Sequence, residues 1–299
     1  VSLGDAKYGG TNVALILAGL PALALSAVVM HLAGAGVSLI ALQLGVALVA
    51  ATLCGVASWR GWRVAQPKQL VVAVLLLVLL VVPLLTTATS GPTRWINLPG
   101  VRLYAASLVL PALIFLLSEG LASSTRHRQV GLAVALGAGA VLAIQPDASQ
   151  VAAFGLACAV AMVHLPFHTV QRFVLMLVLA GCNWYAWNQP DPLQPVAYVE
   201  GVLGVARAAG VGVLALAIAA LALPVAVLVW CARTKRSVGL LSVAAYYVAI
   251  GVCAQQELTP MPLLGFGAGP ILGFYLFCAL SAGASSQDAA PTSATLPEG

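Results

Sequence analysis

Long apolar runs, separated by short polar or Pro/Gly-rich punctuation, dominate the 299-residue chain. Residues 70–85 and 211–230 have the length and apolarity of bilayer-spanning helices. No period-two alternation is sustained over about ten residues, which argues against a membrane β-barrel. Cutting at the punctuation predicts ten spans, near 12–31, 35–57, 69–88, 102–122, 130–145, 148–165, 170–187, 202–231, 238–254 and 261–282. Several are short, as in a compact bundle with tilted or thin elements. The expected fold is an all-α, polytopic membrane protein with residues 1–284 as one transmembrane domain. The first twenty residues lack a basic n-region and a small-residue cleavage site, so the first helix is expected to be retained. Residues 285–299 are rich in Ser, Ala, Pro and Thr and read as a disordered tail.

Composition agrees with the pattern. The chain is 62% hydrophobic and 7% charged, with a mean hydropathy of +1.04, whereas a soluble domain carries about 25% charged residues. Sorting the charges by loop sets an orientation. Lys7, Arg60, Arg63, Lys68, Arg126, Arg128, Arg172, Arg233, Lys235 and Arg236 fall on one side, ten of the thirteen basic residues. The positive-inside rule makes that side cytoplasmic, with both termini there. The opposite face carries Asp147, Asp191, Glu200 and Glu257, and only Arg94, Arg102 and Arg207 as cations. The net charge of +5 thus reflects topology, and no nucleic-acid partner is implied. Six cysteines lie singly in apolar segments without a CxxC or Cys/His cluster, so neither structural zinc nor a disulfide framework is indicated.

Four outer-face segments hold the candidate chemistry. Residues 91–104 place Arg94, Trp95 and Arg102 beside a Gly/Pro-bounded turn. Two cations that oppose the topology rule suit a lipid-linked phosphate, held bidentately by a guanidinium. Trp95 alone also reads as an aromatic-belt residue, and Arg as a snorkelling one. Gln145-Pro146-Asp147 follows the fifth span, where Pro and an acid also make an ordinary helix start. Residues 183–201 form the longest outer loop, with three prolines, Trp184, Tyr185, Trp187, Tyr198, Asp191 and Glu200. Aromatic rings and carboxylates suit a sugar, and equally an aromatic belt with solvated acids. Residues 257–270 repeat Pro and Gly, which predicts a broken start to the tenth helix, tolerated at membrane depth where protein or a cavity receives it. Glu119, one turn from the inner end, is expected to pair with Arg126. No row of intramembrane acids of the transporter kind is visible.

In order and sidedness these segments resemble the shape, elongation, division and sporulation family, the RodA- and FtsW-like membrane proteins. The family's G-x-R-R-W-[IL]-x-[LI]-G is matched by Gly91-Pro92-Thr93-Arg94-Trp95-Ile96-Asn97-Leu98. Its Q-P-D-L-G-T aligns with Gln145-Pro146-Asp147-Ala148-Ser149-Gln150. Its P-L-P-F-[IV]-S-Y-G-G-S aligns with Pro260-Met261-Pro262-Leu263-Leu264-Gly265-Phe266-Gly267-Ala268-Gly269, and a D-P-L lies within 189–194. The resemblance spans the whole chain. It implies a multi-pass protein of the bacterial cytoplasmic membrane that polymerises lipid II and works beside a class B penicillin-binding protein. It implies undecaprenyl pyrophosphate as leaving group, a carboxylate base, and cations or a divalent metal at the pyrophosphate.

The departures bear on catalysis. The family's Q-P-S-E-x-x-K is replaced by Tyr104-Ala105-Ala106-Ser107-Leu108-Val109-Leu110, without the Glu and the Lys. Aligning its T-D-F-x-F-x-x-x-x-E-E-x-G with residues 195–212 puts Tyr198 at the catalytic Asp and Arg207 at the second Glu. Three functions follow as expectations. One is a divergent polymerase, with Glu200 or Asp191 as base and Arg94, Trp95, Arg102, Asp147 and Tyr198 at the substrate. Another is a non-catalytic protein that binds the lipid-linked precursor or serves as a scaffold. The last is a carrier or flippase for a lipid-linked sugar. No cofactor is evident, and a divalent cation is left open.

Overall fold

The computed structural model describes residues 3–62, 64–85, 93–99, 101–121, 125–190 and 194–284. Asp191, Gly91, Pro92, Gly100 and the 285–299 tail lie outside these residues.

Twelve helices and one two-stranded sheet make up the described chain. α1 (Leu3–Ala18) and α2 (Leu20–Leu32) share the first span, interrupted at Gly19, with Pro21 in the first turn of α2. α3 (Val37–Trp59) and α4 (Gln66–Leu85) follow. β1 (Trp95–Leu98) and β2 (Val101–Tyr104) then form an antiparallel hairpin, pairing Trp95 with Tyr104 and Leu98 with Val101. α5 (Ala105–Leu121), α6 (Thr125–Ile144), α7 (Ala148–His164) and α8 (Thr169–Trp187) come next. α9 (Val202–Ala209), α10 (Val211–Lys235), α11 (Val238–Gln255) and α12 (Ala268–Ala284) complete the order. Among the described residues, six segments are long and apolar enough to cross a membrane: 10–32, 37–59, 68–85, 127–144, 211–235 and 238–255. α5, α7 and the apolar part of α12 are shorter apolar helices.

Three of the shifts from the sequence boundaries have a local reason. The fourth helix starts at Ala105 rather than 102, because Val101–Tyr104 pairs with β1; a β-branched and aromatic stretch after a Pro-containing turn favours a strand. The eighth span breaks at Gly210, whose φ of 127° lies outside the range of L side chains. The tenth helix starts at Ala268, and residues 257–267 before it are irregular, as their Pro and Gly content predicted.

α5 is the axis of the bundle. Fourteen of its seventeen residues are buried, from Ala105 to Leu121, in contact with α4, α11 and α12. α12 approaches α5 through Gly269 and Gly273, where a Cβ would run into the Tyr104 and Ser107 carbonyl oxygens. This close approach is the small-residue packing that brings membrane helices together without a hydrophobic driving force. Lys235 Nζ donates to Asn12 Oδ1 at 2.7 Å, joining α10 to α1. Glu119 accepts from Ser237 Oγ at 2.6 Å and from the Gly239 amide at 3.1 Å. It therefore caps the start of α11, where an anion meets unpaired helix amides.

Candidate functional site

The β1–β2 hairpin is fastened to the bundle by the residues at its two ends. The Ala105 amide donates to the Arg94 carbonyl at 3.1 Å, closing the turn into α5. The Arg94 side chain, only 6% exposed, runs inward. Its Nε donates to the Gln145 carbonyl at 3.0 Å and its Nη2 to the Pro146 carbonyl. Both carbonyls follow the last turn of α6, the negative end of that helix, where unpaired carbonyls seek a cation. Asp147 starts the next helix: Oδ1 accepts from the Gln150 amide at 3.4 Å and from Ser149 Oγ at 3.3 Å. Gln145 reaches the other way, donating from Nε2 to the Leu80 carbonyl at 2.7 Å. Each member of Gln145-Pro146-Asp147 is thus used in the break between α6 and α7.

Asp147 is 1% exposed and accepts a hydrogen bond on Oδ2 from Tyr104 Oη at 2.5 Å. Burial pushes its carboxyl above the ordinary carboxylate range, against the pull of Arg94, Tyr104, the Gln150 amide and Ser149. The Tyr104 phenol is held well above its usual range, first by burial and then by the Asp147 charge.

Two cavities adjoin at Trp95. The first, enclosing about 380 Å³ with open solvent included, is polar. Its walls are Arg94, Trp95 and Tyr104 from the hairpin, Glu200 from the 196–201 turn, and Glu257 and Thr259 from the segment before α12. The second, enclosing about 1020 Å³ on the same measure, is mainly apolar. Leu39, Leu42 and Val46 of α3 form one side, Trp95, Val101 and the exposed Arg102 the hairpin side, and Tyr198 and Phe266 a third. Tyr198 and Phe266 meet edge to face at 6.1 Å.

The sequence candidates thus divide. Arg94, Trp95 and Glu200 share the polar cavity, with Asp147 one hydrogen bond behind its Tyr104 wall. Arg102 and Tyr198 belong to the apolar cleft, and Trp95 borders both. Glu200 Oε2 accepts from the Val196 amide at 2.9 Å, so the carboxylate also closes its own turn. Among the described residues, no group of three or more His, Cys, Asp and Glu is placed to hold a metal ion.

Five participants were not singled out as site residues in the sequence. Glu257 and Thr259 complete the polar cavity, and Gln150, buried in α7, donates from Nε2 to Thr259 Oγ1 at 3.4 Å. Tyr104 stood out in sequence only as a departure. Gln43, on α3, clamps the segment before α12: Nε2 donates to the Gly265 carbonyl at 2.9 Å while Oε1 accepts the Gly267 amide at 3.0 Å. The same segment is bonded to the outer turn, the Met261 amide to the Val199 carbonyl at 3.0 Å and the Phe266 amide to the Tyr198 carbonyl at 2.8 Å. A polar residue within an apolar helix was the one available signal for Gln43.

These features define a polytopic helical membrane protein with a polar cavity and an apolar cleft side by side at one face. Residues 13–190 match the model of the FtsW, RodA and SpoVE family, described as cell cycle protein. The chain belongs to that family, which makes it a multi-pass protein of the bacterial cytoplasmic membrane with a place in cell-wall synthesis. Its fold is similar to the crystal structure of the Thermus thermophilus rod shape determining protein RodA, at 18% identity and a TM-score of 0.61, covering 89% of this chain and 93% of that one. An Asp-to-Ala variant of the same Thermus protein matches at 17% identity and a TM-score of 0.61, over 89% and 94%. Among curated proteins, none matches.

Proposed function

We propose that the protein binds an undecaprenyl-pyrophosphate-linked sugar of the lipid II kind at its outer face. It transfers the sugar unit to an acceptor hydroxyl, beside a class B penicillin-binding protein. The observation that carries this reading is the meeting of the two cavities at Trp95. A polyprenyl donor has an apolar chain, an anionic link and a hydroxyl-rich head, and needs the three surfaces in that order. The α3 cleft offers the first, Arg102 at its rim the second, and the cavity with Glu200 and Glu257 the third. Trp95 supplies a ring face between them, and Arg94 and Asp147 hold the hairpin and the α6–α7 break that form the wall. Glu200 is placed to bind a sugar hydroxyl or to take its proton, and Asp191 is a second candidate carboxylate. A divalent cation would find oxygen ligands in Glu200 and Glu257, since Mg²⁺ takes one or two carboxylates beside substrate phosphates. In this reading both termini and the Arg172 and Arg233 loops face the cytoplasm.

Two measurements test it. Lipid II bound to the purified protein should dissociate about ten- to a hundredfold more readily after Arg102→Ala, the loss of one charge-assisted contact worth about 1.5–3 kcal/mol. Unchanged affinity would remove Arg102 from the phosphate. With fluorescent lipid II and the partner penicillin-binding protein, the wild type should make glycan strands. Failure to do so while still binding lipid II favours the second reading, a non-catalytic precursor-binding protein or scaffold. The observation on its side is Tyr198, a phenol packed on Phe266, at the position where the resemblance puts the family's catalytic Asp. A carrier is disfavoured by the filled centre, where Leu110, Leu113, Ile114, Phe115 and Phe277 leave 0–2% of their surface exposed.

A further inference from the structure

We propose that Tyr104, backed by Asp147, takes the proton of the acceptor-sugar hydroxyl. This rests on the glycosyl-transfer reading above and assigns the base that reading requires. Two runs of hydrogen bonds end beside the polar cavity, one at Thr259 and one at Asp147. Tyr246 Oη donates to Gln150 Oε1 at 2.8 Å. Gln150 Nε2 donates to Thr259 Oγ1 at 3.4 Å. Thr259 borders the polar cavity beside Tyr104, and the Tyr104 phenol proton points to Asp147 Oδ2 at 2.5 Å.

A phenol has one proton and two acceptor lone pairs. At Tyr104 the proton is committed to Asp147. A lone pair can then accept from a hydroxyl in the polar cavity, whose wall Tyr104 and Thr259 both form. In the transfer, the acceptor oxygen bonds the anomeric carbon as the bond from that carbon to the pyrophosphate oxygen breaks. The pyrophosphate leaves with the electron pair. The hydroxyl proton moves to Tyr104 Oη while the phenol proton moves to Asp147 Oδ2. Asp147 ends as a neutral carboxylic acid, which returns its proton to water through Tyr104 once product has left.

Two further observations support this. Burial favours the neutral acid at Asp147 and makes its carboxylate a better proton acceptor than an exposed one. Arg94 offsets the carboxylate charge before transfer, with its guanidinium fixed on the Gln145 and Pro146 carbonyls. The resemblance places Tyr198 where the family carries its catalytic Asp, and a buried carboxylate relayed by a phenol supplies the same chemistry from the polar cavity.

The test uses fluorescent lipid II, the purified full-length protein and its class B penicillin-binding protein. Tyr104→Phe keeps the ring and its stacking on Trp95, and should lower turnover about a hundred- to ten-thousandfold, the usual cost of losing a general base, with lipid II affinity unchanged. Asp147→Asn keeps an N-cap residue and should lower turnover similarly. Its residual activity should lose the acid limb of the wild-type pH profile. Arg94, Tyr104, Tyr246 and Cys253 are the titratable or charged groups acting on Asp147, and none of them replaces that limb. Thermal melting checks that both variants fold, and if Asp147→Asn does not, Tyr104→Phe decides. Wild-type turnover in Tyr104→Phe overturns the assignment, and loss of turnover in Glu200→Gln would then place the base at Glu200. A wild type that makes no glycan overturns glycosyl transfer itself and this assignment with it.

Discussion

A guanidinium that is 6% exposed needs acceptors on its own terms, and Arg94 finds them at the end of α6. Removing one partner of a buried charged group strands the others, at a cost of about 3–5 kcal/mol. Arg94→Ala should therefore lower the melting temperature of the detergent-solubilised protein substantially, and Arg94→Lys should recover little, since an ammonium cannot serve both carbonyls from one planar fork. Equal melting of wild type and Arg94→Ala would show that the guanidinium carries no structural weight. Asp147 gives a pH test of known sign. It lies between α6 and α7, outside the spans, and its folded carboxyl titrates above the unfolded value of about 3.9. Between those two values the unfolded chain binds fewer protons, so this stabilisation is complete below the unfolded value and is lost as pH rises through the folded one. The melting temperature of wild type relative to Asp147→Asn should rise as pH falls through that window. A flat difference would mean that the carboxyl titrates normally. The sequence showed Arg94 and Asp147 as residues on the outer face. It could not show that both point inward, because the topology rule counts charges by loop and has no term for burial against a helix end.

At the scale of elements, Gly273 is the most exacting position. Its Cβ in a Gly273→Ala variant would overlap the Ser107 carbonyl oxygen, which is backbone and cannot swing aside. Overpacking typically costs about 1–3 kcal/mol, and α12 should lift from α5, seen as lower stability and faster proteolysis of residues 257–267. Gly251, with open space around its Cβ, is the control that should tolerate alanine. At the inner end, Glu119→Gln should cost about 0.5–2 kcal/mol, the range of a lost N-cap, because Ser237 and the Gly239 amide lose an anionic acceptor. The helices themselves were legible, since length and apolarity fix them. The hairpin was not, because two four-residue strands between spans leave no periodic signal long enough to read. Glu119 was legible as an inner-end acid; its acceptor role at α11 was hidden, since Gly239 lies 120 residues further on.

For the whole molecule, the ordering of four weak motifs carried more than any one of them. Their sequence and sidedness pointed to the family that the match over residues 13–190 shows. What joins them was beyond the one-dimensional pattern: Gln43 meets Gly265 across 222 residues, and Gln150 meets Thr259 across 109. The orientation is open to direct measurement. In a background with the six native cysteines replaced, a cysteine at Glu257 should react with a membrane-impermeant thiol reagent added to intact cells. One at Arg233 should react only after permeabilisation. The opposite pattern would invert the topology and move both cavities to the cytoplasmic face.

The segment before α12 has a kinetic consequence. Its amides at Met261 and Phe266 are held by the Val199 and Tyr198 carbonyls, and its Gly267 amide by Gln43 Oε1. These three locks sit on one short strap, so releasing it means breaking them together. Hydrogen exchange at Met261, Phe266 and Gly267 should therefore follow a single shared rate, slowed in concert when lipid II occupies the cavity and hastened in concert by Gln43→Leu. Three unrelated rates would mean that the strap yields piecemeal and that its parts move on separate clocks.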